Sequence, residues 1–227
     1  MGSILIEGNP PVEIHVRKCA LARRLSLRVS GIDGRVTLTV PRSAGQRDVR
    51  HFAVEKADWI RDALARQAAP VVVCPGIALP VEGGLLEVVA GQDRTARIEN
   101  GRLLVPSQHP GPAALAFLRY YARHQLAAAV ARHAAALKRE PGRLTLRDPR
   151  SRWGSCSMEG NLMFSWRLIL APPAVLEYVA AHEVAHLARM DHSPDFWRLA
   201  AQLCPNYARH SAWLRREGAE LHRYRFD

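Results

Sequence analysis

The feature that most constrains the fold is the segment AAHEVAHLARMDHSPDFW, residues 180–197, which sets three histidines and a glutamate among apolar residues. In an α-helix each residue advances by about 100°, so His182 and His186 lie on one face, one turn apart. On the same continuous helix, His192 would point about 120° away from His186. The three histidines can therefore converge only if the helix ends between positions 186 and 192.

The residues around His192 favour such a break. Asp191 tolerates a left-handed conformation, and Ser193 followed by Pro194 is typical of an N-cap and a first helical position. We therefore expect one helix to end near Met190 and another to begin at Pro194. His192 then lies in the tight corner between them, where it can fold back towards the first helix.

This arrangement suits a metal ion. Two imidazoles one turn apart can share zinc at about 2.0–2.1 Å per nitrogen, and His192 supplies a third ligand. Glu183 lies beside the first ligand without competing for the metal, as in the HExxH pattern of two ligands and a general base. The spacing predicts one Zn²⁺ per chain, held by His182, His186 and His192, with Glu183 as the catalytic base that takes a proton from a zinc-activated water.

Two alternatives remain at this point. Cys156 would complete a closed structural zinc site, although an adjacent glutamate is not what such a site needs. The histidines could also be core residues that are satisfied by hydrogen bonds.

Composition indicates a soluble globular protein. The chain has 227 residues, of which 48% are hydrophobic, so disorder is not expected. No apolar stretch reaches the length of about 18 residues that a membrane span needs, and the N-terminus lacks a basic segment followed by an apolar one. The four cysteines form no CxxC pair. We expect a cytoplasmic protein with no membrane association.

The sequence pattern predicts an α+β fold in two domains. Residues 1–106 would form a β-rich subdomain with one helix: LSLRVSGIDGRVTLTV is typical of a hairpin, and Ser43 is a candidate N-cap for a helix to about Gln67. Short strands are expected over 71–91, followed by a second hairpin with Asn100 and Gly101 as a type I′ turn. No internal sequence repeat is evident.

The second predicted domain is residues 107–227, and the boundary segment is Pro106 to Pro112, in which two prolines flank Gly111. A long helix is expected over 113–137, because this stretch contains strong helix formers and few breakers. Short strands or extended segments follow over 143–166. A helix starting near Pro172 or Pro173 would then carry the HExxH segment.

Several segments resemble the YgjP-like zinc metallopeptidases, which are related to SprT-like and small gluzincin-type proteases. They are RRLSLRVSGIDGRVTLTVP, VRHFAVEKADWIRDAL, RWGSC, the HExxH segment, DHSPDFW and LCPNYARHSAWL, in the order typical of that family. The resemblance implies a zincin-like core of helices on a small sheet, with an edge strand lining the cleft. It also implies peptide or protein substrates, His182, His186 and His192 as zinc ligands, and Glu183 as the catalytic acid and base.

Other residues near these motifs have both a functional and a structural interpretation. Arg152 would bind a substrate carboxylate or pair with an acidic residue, and Trp153 would line the cleft or form a packed turn behind the metal-bearing helix. Tyr207 and His210 are candidates to stabilise the oxyanion, or else a core tyrosine and a surface histidine.

Charge suggests a second class of partner. Of the net charge of +11, an excess of seven positive charges falls within residues 119–152. This segment contains nine basic residues and only two acidic ones, Glu140 and Asp148. Such a sector predicts weak nucleic-acid binding, or else it is only a solvated helix face. The alternative functions are therefore a nucleic-acid-associated protein with a structural zinc site, or a protease that acts on DNA-bound proteins.

Overall fold

The computed structural model describes residues 2–67 and 69–227, and these form two compact units. The first unit ends at Ala69 and the second is Pro70–Asp227. The boundary expected at position 106 falls inside the second unit, because the strands that precede it pack against the helix that follows it. The division therefore comes earlier in the chain than the sequence pattern indicated.

The first unit contains a four-stranded sheet with the order β1-β2-β4-β3. Its strands are β1 (Gly2–Ile6), β2 (Val12–Cys19), β3 (Ser26–Val29) and β4 (Val36–Pro41). The outer pairs are antiparallel, whereas β2 and β4 run parallel. The predicted hairpin over 25–40 is confirmed as β3 and β4. Alternate residues on these strands face one core cluster, in which Ile14 and Leu38 are fully buried.

Two helices cover this sheet, where the sequence pattern predicted one. They are α1 (Gln46–Glu55) and α2 (Ala57–Ala65). The break is at Lys56, whose φ of −93° and ψ of 3° lie outside the regular helical region. The expected N-cap at Ser43 is wrong, since Gly45 occupies that position. Ile60 on α2 is fully buried in the same core cluster as the sheet.

The second unit opens with a sheet of the same topology. After β5 (Val71–Val72) come β6 (Ala78–Val81), β7 (Gly84–Gly91), β8 (Arg97–Glu99) and β9 (Arg102–Pro106), in the order β6-β7-β9-β8. Here too the outer pairs are antiparallel and the central pair, β7 and β9, is parallel. The turn at Asn100 and Gly101 has positive φ at both residues, 49° and 73°, as a type I′ turn requires.

Helix α3 (Pro110–Leu137) follows this sheet and is 28 residues long. Leu118 and Leu126 on its inner side are fully buried. They belong to the large core cluster that also contains residues of α4 (Pro173–Ala185) and of a 3₁₀ turn at Trp166–Leu170. The start of α4 at Pro173 agrees with the prediction. Through this packing, α3 supports the helix that carries the HExxH segment.

A small sheet lies beside α4. It comprises β10 (Leu144–Arg147), β11 (Gly154–Cys156) and β12 (Leu162–Ser165), in the order β10-β12-β11, so β11 is an edge strand next to α4. The chain continues through α5 (Pro194–Leu203), α6 (Tyr207–Glu217) and β13 (Tyr224–Arg225), which pairs with β5. Helices and small sheets together make the fold α+β, as predicted. Within residues 2–67 and 69–227, no helix combines the length and apolar character needed to cross a membrane.

Candidate metal centre

The end of α4 places the second histidine of the HExxH segment. The regular helix stops at Ala185 rather than near Met190, because the next turn tightens. The N–H of Leu187 donates to the carbonyl of Val184 at 3.0 Å, a bond that spans three residues instead of four. His186 is the C-cap and keeps a helical conformation, with φ −64° and ψ −20°.

Short polar side chains build the corner that follows, as predicted, but Asp191 contributes through its carboxylate and does not adopt the left-handed conformation that was expected for it. Helix α5 begins at Pro194, and Ser193 Oγ accepts a hydrogen bond from the N–H of Phe196. The same hydroxyl donates to Asp191 Oδ1 at 2.7 Å. These bonds fix the chain on both sides of His192, which turns its ring back towards α4.

The three histidines converge. Within the described residues, His182, His186 and His192 form a group whose potential ligand atoms all lie within 4.8 Å of one another. The Nε2 atoms of His182 and His192 are 3.2 Å apart. His186 Nδ1 lies 2.9 Å from the carbonyl oxygen of Arg189, so its Nδ1–H donates there and leaves the Nε2 lone pair free. This donor set fits a metal ion such as zinc.

An aromatic pair supports the histidine rings, and the sequence analysis did not single it out. Phe196 is fully buried, and its ring centre lies 4.9, 4.4 and 4.8 Å from those of His182, His186 and His192. Trp197 lies 5.8 Å from His192. The only sequence signal was the position of both aromatics in the first turn after Ser193-Pro194. Phe196 thus packs against all three imidazole rings.

Burial also sets the protonation of the ligands. Burial, with a smaller contribution from the neighbouring His186 and His192, lowers the pKa of His182 to about 4. Burial likewise lowers the pKa of His186. Both rings are therefore neutral near pH 7, which is the form that binds a metal. His182 Nδ1 is buried without a hydrogen-bond partner in the described part of the chain.

Glu183 lies in contact with the edge strand. Its side chain is 6% exposed, and burial raises its pKa to about 7, although the positive charge of Arg152 acts in the opposite direction. A Cβ at position 154 would lie 2.5 Å from Glu183 Oε1 and 2.6 Å from its Cγ. Gly154 therefore makes room for this carboxylate. No local sequence pattern predicted this contact between Gly154 and Glu183.

The histidines and Glu183 open into one cavity of about 240 Å³. Its remaining lining residues are Arg152, Gly154, Ser155, Cys156 and Met190. Arg152 is exposed and is the only lysine or arginine among the lining residues. The cavity thus brings together three potential metal ligands, a buried carboxylate with a raised pKa and one cation. This combination of groups is suited to hydrolysis.

Cys156 lines the same cavity but is not part of the histidine group. Its Sγ donates to the carbonyl of Ser157 at 3.4 Å. Burial, followed by the charge of Glu183, raises the pKa of the thiol and so disfavours the thiolate that binds zinc. The geometry therefore gives no support to a closed site with Cys156 as the fourth ligand.

Three residues singled out from the sequence do not line this cavity. Trp153 packs against His222, with ring centres 5.3 Å apart. Tyr207 stacks on Trp197 at 5.3 Å, and the Trp197 ring in turn lies 5.8 Å from the rings of His182 and His192. His210 lies 6.5 Å from the ring of Tyr178. The structure thus brings Arg152 to the histidines and Glu183, but not Trp153 or Tyr207.

The basic sector of residues 119–152 is spread along the molecule. Arg119 and Lys138 both lie on α3 or at its C-cap, and a helical rise of about 1.5 Å per residue separates them by about 28 Å. Arg132 is paired with Glu177. Nucleic-acid binding by this sector stays a prediction.

Comparison with known proteins agrees with the site. The model of the family described as "YgjP-like, metallopeptidase domain" matches residues 23–217, well over half of the chain. The searches of curated proteins and of solved structures returned no match. The matched region contains the HExxH segment, the corner at His192 and the edge strand at Gly154. The chain therefore belongs to the YgjP-like metallopeptidase family.

Proposed function

We propose that this protein is a zinc-dependent peptidase that hydrolyses peptide bonds in the cavity beside α4. The observation that carries the proposal is the convergence of three histidines beside a buried carboxylate that is not one of the converging group. Family membership supports the reaction class. Peptides or proteins are the proposed substrates.

Each residue has a role that follows from its position. His182, His186 and His192 would hold the ion, and Phe196 keeps their rings in place. A zinc ion bound there would act as a Lewis acid, which acidifies a water molecule and polarises the scissile carbonyl. Three protein ligands leave the fourth position for water or substrate, as catalytic zinc requires.

Glu183 is the proposed general base and acid. A carboxyl group with a pKa of about 7 exchanges protons readily near neutral pH, because both of its forms are populated. It would accept a proton from the attacking water and return it to the leaving amine. Contact with Gly154 fixes its carboxylate at the wall of the cavity.

Arg152 is the proposed substrate-binding cation. It lies at the rim of the cavity, where it would bind a substrate carboxylate or the oxygen that becomes negative during attack. Tyr207 stays a candidate for the second task, although it stacks on Trp197 and is not among the residues that line the cavity. Two variants distinguish these candidates. Arg152→Gln should lose substrate affinity or turnover, whereas Tyr207→Phe should retain both.

The test separates the metal ligands from the base. Glu183→Gln keeps the size of the side chain but cannot accept the proton, so zinc content should be unchanged while hydrolysis of a broad peptide library falls by about 10²–10⁴-fold. Glu177→Gln is the matched control, because Glu177 lies on the same helix but pairs with Arg132 and His133 outside the cavity. Equal cleavage by Glu183→Gln and the wild type would contradict the proposal.

A further inference from the structure

The first sheet has a polar outer face that its helices do not cover. Inward-pointing strand residues form the core cluster of the first unit, and the alternate residues point outwards. We call the outward set the basic face, and it consists of His15, Arg17, Ser26, Arg28, Thr37 and Thr39. Cross-strand pairing makes it continuous: His15 and Arg28 both lie opposite Thr37, and Arg17 and Ser26 both lie opposite Thr39.

The cations of this face are not neutralised by the protein. Within the described residues, neither Arg17 nor Arg28 forms an ion pair, and both are exposed. Arg17 Nη2 instead donates to Thr39 Oγ1 at 3.3 Å, which holds its guanidinium over the sheet. The acidic residue on the same side, Glu13, lies two positions before His15, at the opposite end of β2 from Arg17.

The sheet of the second unit provides a comparison with the same topology. On its outer side Arg102 Nε pairs with Glu87 Oε2 at 3.2 Å, and Arg97 Nη2 pairs with Glu99 Oε2 at 2.9 Å. Its two arginines are thus matched by two glutamates. The exposed face of the second sheet therefore neutralises its arginines with ion pairs. The unpaired arginines distinguish the basic face of the first sheet from it.

We propose that the basic face binds the phosphodiester backbone of a nucleic acid. Arg17 and Arg28 are two strands and two residues apart, so strand spacings of about 4.8 Å and a rise of about 3.4 Å per residue place their Cα atoms about 12 Å apart. Arginine side chains from these positions reach two phosphates of one strand. The hydroxyls of Thr37, Thr39 and Ser26 lie between them and donate to phosphate oxygens.

The composition of the face favours a nucleic acid over a membrane and predicts binding without sequence preference. A lipid surface would favour several large apolar side chains beside the cations, whereas Leu5 is the one such residue among the outward-facing strand positions that the structure describes. The six residues of the basic face include no Phe, Tyr or Trp on which bases could stack. Recognition would therefore depend on phosphates alone.

The experiment measures binding of the full chain to a fluorescein-labelled 20-nucleotide oligo-dT by anisotropy at several salt concentrations. Removing two phosphate contacts with Arg17→Gln and Arg28→Gln together should weaken binding about tenfold at low salt. It should also reduce the slope of log K against log salt by about 1.4, the value for two contacts to a single strand.

A double variant with the same change of net charge serves as the control. Arg97→Gln with Arg102→Gln alters the neutralised face of the second sheet. It should retain nearly the wild-type affinity and slope. Circular dichroism checks that each variant is folded.

The proposal is overturned by any of three results: no oligo-dT binding by the wild type at low salt, an equal loss in the Arg97 and Arg102 control variant, or an unchanged slope in the Arg17 and Arg28 double variant. Binding to vesicles of anionic phosphatidylserine without binding to oligo-dT would also overturn it, in favour of a membrane surface. A selective loss in the Arg17 and Arg28 variant supports it. None of these readouts depends on peptide hydrolysis.

Discussion

The two units begin in the same way and then diverge. Each has a four-stranded sheet in which two antiparallel pairs are joined by a parallel central pair, and each sheet is followed by a helix. After the first sheet the helix breaks at Lys56, and the core cluster is made of first-unit residues alone. After the second sheet α3 runs for 28 residues and packs against the helix that carries the HExxH segment.

This comparison shows how one topology serves two purposes. In the first unit the helices only close the sheet, so the outer face is free to carry unpaired charge. In the second unit the extra length of α3 provides an apolar surface against which α4 packs. The outer face of the second sheet is neutralised by ion pairs. The position of the candidate metal centre therefore depends on the helix after the second sheet.

The largest expected effect comes from removing core packing in each unit. Leu126→Ala on α3 and Leu38→Ala on β4 both truncate a fully buried leucine, and each should cost about 2–5 kcal/mol of unfolding free energy in its own unit. Only Leu126→Ala should lower the urea concentration at which zinc is released, because Leu126 packs in the cluster that holds α4. Zinc release by a chromogenic chelator during a urea titration measures this. Equal zinc loss from Leu38→Ala would contradict the claim that only the core around α3 supports the histidine group.

A smaller effect is expected from the edge strand. Gly154→Ala would push the carboxylate of Glu183 out of place, since the new Cβ would lie within 2.6 Å of its Cγ. A shift of about 1 Å in a catalytic group can cost about 100-fold in rate, so kcat should fall to that extent while zinc content stays constant. Gly45→Ala in the first unit is the control, because its Cβ would meet only the side chain of Asp48. Unchanged kcat in Gly154→Ala would show that the contact does not position Glu183.

The smallest effect concerns stability in acid. Burial, with a contribution from Arg167, lowers the pKa of His222 to about 4. The folded second unit therefore favours the neutral ring, and the stability that this provides is present above the unfolded pKa of about 6.5 and lost as the pH falls towards 4. His222→Phe retains a ring against Trp153 but cannot titrate.

The unfolding free energy of His222→Phe should therefore decrease less than that of the wild type between pH 7 and pH 4.5, as measured by urea unfolding at each pH. Both proteins keep the three histidines of the metal centre, so their contribution cancels in the difference. Parallel pH curves for the two proteins would assign the acid sensitivity to other groups.

Local patterns predicted much of the metal centre. The spacing of His182 and His186 places both on one helical face in any α-helix, and Ser193-Pro194 specifies where the next helix begins. The hairpin over 25–40 was also predicted, because alternation of apolar and polar residues is a local signal. These features depend on neighbours within one or two turns of the chain.

Non-local contacts were beyond such patterns. The parallel pairs β2–β4 and β7–β9 join segments that are separated by an intervening strand, so local patterns did not predict them. The topology that the two sheets share was not predicted either, because no sequence repeat accompanies it. The role of Gly154 depends on Glu183, which is far along the chain. The predicted boundary at 106 was based on nearby prolines and a change of sequence pattern, whereas the compact units divide where few contacts cross.

The central claim is that three histidines hold one zinc ion in an open site. Zinc content per chain, measured by mass spectrometry of metals on the wild type, His192→Ala and Cys156→Ser prepared in parallel, tests it most directly. The wild type and Cys156→Ser should each hold about one zinc, and His192→Ala should lose it, because a catalytic site takes three protein ligands and leaves the fourth position to water. Full zinc retention by His192→Ala, or loss of zinc from Cys156→Ser, would contradict this account.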